Sequence, residues 1–116
     1  MGYHIFTTRK VLLTTEMNNT ETTMMNKWIE QRALQQQVQA LYTRFSRIEN
    51  MTDGQRNDFS ASLTALSNDE DALEREIQML ETKYSEESQE LTKVEEQEKT
   101  SIENDTPVYS GAGGNK

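Results

Sequence analysis

Few side chains in this sequence have the types and spacing that catalysis or metal binding requires. His4 is the single histidine and there is no cysteine, so a zinc site with three or four His or Cys ligands cannot be assembled. The acidic run Asp69-Glu70-Asp71 lacks the alternate spacing and the central glycine of a calcium loop, which favours a solvated helix face. No glycine-rich phosphate loop or nucleophile elbow occurs. We therefore predict no catalytic residue, no metal site, no cofactor and no enzymatic activity.

The composition is typical of an elongated helical protein. Only 33% of the 116 residues are hydrophobic, whereas ordinary globular domains are about 45 to 50% apolar. Pro107 is the only proline, so no ring bars a helix upstream of it. We expect a long structure that buries a narrow apolar stripe instead of a thick core.

Charge is unevenly distributed along the chain. The net charge is −8, and residues 1–50 carry six basic against four acidic side chains, so the remainder carries −10. Opposite signs in the two halves favour their packing on each other. The acidic excess argues against a nucleic acid as a partner.

Neither a membrane span nor a cleavable leader is expected. No apolar run reaches the roughly 20 residues of a transmembrane helix, and Thr7 to Lys10 interrupt the apolar N-terminal stretch that a signal peptide would need. The sequence leaves two locations open, the cytoplasm and export by a leaderless secretion route.

Apolar residues recur at alternating steps of three and four in both halves, which is the heptad period of a coiled-coil seam. In the second half the seam has polar gaps at Glu70 and Glu87. The predicted intramolecular seam consists of Leu34, Val38, Leu41, Phe45, Ile48, Phe59, Leu63, Leu66, Leu73, Ile77, Leu80, Tyr84, Leu91 and Val94.

A single interior break predicts an all-α fold, a long antiparallel two-helix coiled-coil hairpin with a flexible C-terminal tail. Gly54 can take the left-handed conformation that ends a helix, and Thr52 with Gln55, or Asn57 and Asp58, can cap the next one. The predicted parts are a hairpin over 1–104, with helix 1 at about 8–50, a turn at about 51–55 and helix 2 at about 56–104, and a tail at 105–116 that is flexible or ordered by a partner.

Two registers one heptad apart satisfy the pattern. The tighter register pairs Phe45 with Phe59, and the looser one pairs Phe45 with Leu66. The tighter register needs a shorter turn, which favours it.

The N-terminal segment has more apolar residues than one opposing helix can cover. Trp28, beside the seam, is either the flank of the intramolecular core or an anchor for a second chain. The predicted inter-subunit contact consists of Ile5, Phe6, Val11, Leu12, Leu13 and Trp28.

These features favour a non-enzymatic structural subunit that self-associates by coiled-coil packing into a filament, needle, rod or bundle. The alternative is a coiled-coil chaperone or adaptor that binds a client helix, as an export chaperone does. The expected partner is therefore a second copy or another helical protein. A hairpin alone would be marginally stable because ordering each residue costs about 1 to 2 kcal/mol, and association would add stability.

Overall fold

The chain folds into two long helices joined by a short turn. The computed structural model describes the backbone of residues 2–110 and the side chains of residues 5–102. Helix α1 spans Gly2–Ser46 and helix α2 spans Asp53–Ser110, and no strand occurs in this part of the chain. The predicted fold class, an antiparallel two-helix hairpin, is confirmed. Neither helix, over its described residues, is long and apolar enough to cross a bilayer.

The hairpin divides into two compact units, which are described separately below. The turn unit is Thr22–Glu81 and contains the connection between the helices. The terminal unit consists of the described parts of Met1–Glu21 and Thr82–Lys116.

Local hydrogen bonds end α1 and begin α2. The Ile48 amide donates to the Phe45 carbonyl at 3.2 Å, and the Ser46 hydroxyl donates to the Thr43 carbonyl at 2.9 Å. Both bonds occupy carbonyls that the last helical turn leaves without an intrahelical donor. The helix therefore ends without unsatisfied groups at these two positions.

Thr52 caps α2 through a reciprocal pair of hydrogen bonds. The Thr52 amide donates to Gln55 Oε1 at 2.9 Å, and the Gln55 amide donates to Thr52 Oγ1 at 3.1 Å. This is a capping box, which satisfies two donors at a helix N-terminus. Of the caps that the sequence allowed, the structure has Thr52 with Gln55.

Gly54 does not have the predicted role of ending helix 1. It is the second residue of α2, and its backbone is not left-handed. The turn occupies residues 47–52, where residues 51–55 were predicted. It ends earlier than predicted because the capping box begins α2 at Asp53.

The outer helix ends also differ from the prediction. α1 begins at Gly2 where a start at about 8 was predicted, and α2 continues past Pro107 to Ser110. The threonine-rich start of α1 is helical because low propensity costs only a few tenths of a kcal/mol per residue, which packing against α2 offsets. Of the predicted tail over 105–116, residues 105–110 belong to α2, and residues 111–116 lie outside the described residues.

Replacing Gly54 with Ala is expected to raise the free energy of unfolding by about 0.5 kcal/mol. An added Cβ would lie 3.8 Å from Thr52 Oγ1, an ordinary contact, and the backbone needs no glycine. The gain comes from restricting the unfolded chain. Urea unfolding at fixed protein concentration measures it as a higher midpoint at unchanged slope. The reciprocal control, Ala61→Gly at an exposed position of α2, should lose about 1 kcal/mol; a loss with Gly54→Ala as well would contradict the assignment of Gly54 to a helical turn.

The least exposed side chains follow the heptad period through both helices. In α1 they step by three and four from Phe6 to Phe45, with Ile48 at the next step in the turn, and in α2 from Phe59 to Ser101. All fourteen predicted seam residues lie at these positions, and four of them are buried: Phe45, Leu73, Ile77 and Val94. Where no apolar residue stands at a heptad position, a polar residue occupies it. The row of poorly exposed side chains therefore includes polar as well as apolar residues.

The tighter register is the one observed in the turn unit. The Phe45 and Phe59 rings lie 5.0 Å apart between centroids, and the Tyr42 ring contacts the same Phe59 ring edge-on at 5.4 Å. Lys27 Nζ lies 3.4 Å from Glu76 Oε2 in the same unit. These pairs agree with Phe45 opposite Phe59 and exclude a shift of one heptad.

Candidate functional site

Ion pairs between the helices fill polar positions of the seam in the terminal unit. Lys10 Nζ lies 2.6 Å from Glu98 Oε1, and the Glu98 side chain is only 12% exposed. Beside it, Arg9 forms a 2.8 Å pair with Glu90, where both side chains are 42% exposed and water weakens the attraction. The first pair places two opposite charges at heptad positions, where they are largely shielded from water.

Two other polar side chains of the terminal unit are buried without a complete set of partners. Thr20 is 2% exposed and Glu87 is 8% exposed. Thr20 Oγ1 and Glu87 Oε1 make no hydrogen bond to protein atoms. The other Glu87 oxygen lies 3.9 Å from Lys83, whose side chain is 60% exposed. A buried polar atom without a partner costs about 1 to 3 kcal/mol, so this region of the seam is weakened.

The turn unit has an open groove between the helices, with a volume of about 390 Å³. Three acidic residues stand around it, and Lys27 reaches two of them, at 3.4 Å from Glu76 and 3.7 Å from Glu30. The lining residues are Glu30, Ala33, Leu34, Gln37, Asp69, Ala72, Leu73 and Glu76. Because a lysine already compensates part of the negative charge, the groove is not a prepared cation site. Among the side chains of residues 5–102, no group of three or more His, Cys, Asp or Glu is arranged to hold a metal.

Exposed apolar side chains are concentrated on α1. Of nine large exposed hydrophobic residues among the described side chains, seven belong to α1 and two to α2. Those on α1 are Ile5, Val11, Leu12, Met25, Trp28, Ile29 and Tyr42, and those on α2 are Met79 and Ile102. This asymmetry gives α1 the surface most suited to burial against another chain.

The structure separates the six residues predicted as an inter-subunit contact. Phe6 and Leu13 lie at heptad positions of α1 and are half-buried. The other four are exposed: Ile5, Val11, Leu12 and Trp28. A contact between copies would therefore use these four, and Phe6 and Leu13 support the hairpin itself.

Sequence reasoning did not assign three exposed residues of α1 to a contact: Met25, Ile29 and Tyr42. Met25, Trp28 and Ile29 follow the i, i+3, i+4 spacing of one helix face, and Tyr42 lies two heptads after Trp28. Met25 is 53% exposed, Trp28 43%, Ile29 66% and Tyr42 51%. Extending the heptad register of the seam back to Met24, and then taking the apolar residues that do not fall at seam positions, would have identified them.

The two helices also differ in charge. α1 has five basic and three acidic residues, a net charge of +2, while α2 has five basic and sixteen acidic residues, a net charge of −11. The exposed apolar residues thus lie on the helix with little charge, and the acidic helix is comparatively free of them.

Comparison of the chain with protein-family models, with curated proteins and with solved structures found no significant match.

Proposed function

We propose that this protein is a non-enzymatic structural subunit whose helical hairpins self-associate by coiled-coil packing into a filament, needle, rod or bundle. The observation that supports it best is the concentration of exposed apolar side chains on α1. Burying such side chains is favourable by about 25 cal/mol per Å² of apolar surface, and within a lone hairpin they remain in contact with water.

The weak seam of the hairpin supports the same proposal. Buried polar atoms at Thr20 and Glu87 lower the stability of the terminal unit. Association with further copies adds stability by mass action without any change in the seam. A subunit of an assembly can therefore tolerate polar layers that a free hairpin of this size would tolerate poorly.

A coiled-coil chaperone or adaptor is the second candidate. The same exposed residues of α1 suit an amphipathic client helix, which would lay its apolar face on them. This candidate differs in its assembly, since an adaptor forms a small closed oligomer or a complex with its client, and a structural subunit continues to grow.

Sedimentation velocity of the purified chain over a range of concentrations tests the proposal. We expect species well above the 13.4 kDa of one chain, with a mass that rises with concentration, and elongated particles in negative stain. A monomer at every concentration would contradict the proposal. A small oligomer of constant mass that binds an added amphipathic helix would favour the adaptor.

The double change Val11→Ser and Leu12→Ser is expected to shift the distribution to smaller species while far-UV circular dichroism retains its helical signal. Both side chains are 59% exposed, so their loss removes apolar contact surface and leaves the seam intact. The matched control, Thr14→Ser with Thr15→Ser, alters two exposed side chains of the next turn and should keep the wild-type distribution. An unchanged mass in the Val11 and Leu12 variant would exclude these residues from the contact.

A further inference from the structure

One face of α1 in the turn unit has the chemistry of a contact between identical surfaces. The outer face, as we call it, comprises the exposed side chains of α1 between Thr22 and Thr43 that point away from the seam and the groove. Its apolar members are Met25, Trp28 and Ile29, which adjoin one another. Aromatic residues, Trp above all, are frequent anchors of protein interfaces.

The uncharged polar members of the outer face can hydrogen-bond with the same residues on a second copy. Gln35, Gln36 and Gln39 are exposed there, and each amide has both donors and acceptors, so it can pair with the same amide on another copy. Arg32 is the only charged residue on the face. Glu30, the one acidic residue between Thr22 and Thr43, lies on the groove side with Lys27.

A second copy of this chain can pack on the outer face without repulsion between carboxylates. The protein carries −8 overall, so two copies repel each other wherever their acidic surfaces meet. The outer face has no carboxylate, while α2 has sixteen acidic residues and exposes only two large hydrophobic ones in its described part. Approach of α1 to α1 therefore buries the most exposed apolar side chains and avoids contact between the acidic surfaces of α2.

We infer that two copies dock through the outer face of α1, Met25, Trp28 and Ile29 against the same face of the partner copy, across a two-fold axis. A two-fold contact uses the same patch on both subunits and requires self-complementary chemistry, which apolar and amide side chains have and carboxylates lack. The inference rests on the proposed self-association and specifies its surface. The exposed group Ile5, Val11 and Leu12 belongs to the terminal unit and is a separate surface.

The double variant Met25→Glu with Ile29→Glu tests the inference by adding four carboxylates to the paired faces. We expect association in sedimentation equilibrium to weaken by about 100-fold or more, because like charges are brought together as apolar contact is lost. The matched control is Met79→Glu, the same kind of change at a residue of α2 that is 72% exposed. It should associate as the wild type does. Circular dichroism confirms that each variant is folded.

Single-cysteine variants provide a second test that does not depend on weakening the contact. The chain has no cysteine, so each of the single variants Met25→Cys, Ile29→Cys, Arg32→Cys, Gln36→Cys and Gln39→Cys contains one thiol. A two-fold axis through the outer face brings at least one of these positions close to its own copy. We expect a disulfide-linked dimer from that variant under mild oxidation, and none above background from Met79→Cys.

The outcomes separate this inference from the proposed function. A monomeric wild-type protein would contradict both the proposed function and this inference. Wild-type association that persists in the Met25→Glu, Ile29→Glu variant, with no disulfide dimer from the five positions, would overturn the α1-to-α1 contact and leave self-association standing. Loss of association without any disulfide dimer would also overturn it, because the outer face would then meet a different surface.

Discussion

Replacing Phe45 with Ala should lower the free energy of unfolding by about 3 kcal/mol, a large effect for one residue of a two-helix protein. Phe45 is 8% exposed, its ring lies 5.0 Å from that of Phe59, and the Arg44 guanidinium lies 5.1 Å from its centroid. The substitution removes buried apolar surface, and with it an aromatic pair worth about 1 kcal/mol. Urea unfolding followed by circular dichroism, at one protein concentration, measures the loss.

Tyr42→Ala is the matched control because Tyr42 contacts the same Phe59 ring. Its side chain is 51% exposed and its ring lies 5.4 Å from that of Phe59. Less surface returns to water on truncation, so we expect a loss of about 1 kcal/mol. Equal losses for both variants would show that burial beside the turn is not what makes Phe45 important.

The change Glu87→Leu is expected to act in the opposite direction and raise the free energy of unfolding by about 1 to 3 kcal/mol. Glu87 occupies a seam position of the terminal unit, is 8% exposed and leaves Oε1 without a hydrogen bond. Leucine removes that buried carboxylate and adds apolar contact. Among the described residues, the ion pair lost is the 3.9 Å contact with Lys83, which exposure makes weak.

Glu86→Leu is the control for Glu87→Leu, since it makes the same change at the neighbouring exposed position. Its effect should stay within about 0.5 kcal/mol. If Glu87→Leu instead destabilises the protein, the buried carboxylate has a favourable role in the free chain. If it stabilises the hairpin but prevents assembly, Glu87 is a polar layer that selects the arrangement of helices at a cost in stability, a role that buried polar residues have in some coiled coils.

The residue pattern alone was sufficient to predict the helical hairpin, and it offered the capping box of Thr52 with Gln55 as one of two possible starts of α2. These are local properties. A heptad period needs only the spacing of apolar residues along one helix, and a capping box needs two residues three positions apart. The absence of proline before Pro107 left long helices as the only regular structure that the period allowed.

The register and the partners of the polar seam residues were decided by tertiary packing. A heptad pattern is unchanged when one helix slides by seven residues, so the spacing could not choose between Phe59 and Leu66 as the partner of Phe45. The aromatic contacts in the turn unit select Phe59. Lys10 and Glu98 are 88 residues apart, and no local pattern indicates that the two charges meet.

Surface exposure of the N-terminal apolar residues also depended on the tertiary structure. Sequence placed Phe6 and Leu13 with Ile5, Val11 and Leu12, because together they exceed what one opposing helix can cover. The helix begins at Gly2, so the heptad extends to Phe6 and turns it and Leu13 toward α2, while the others remain outward. Composition and period therefore determined that α1 has an apolar excess, and the start of the helix and its packing on α2 decided which side chains form that excess.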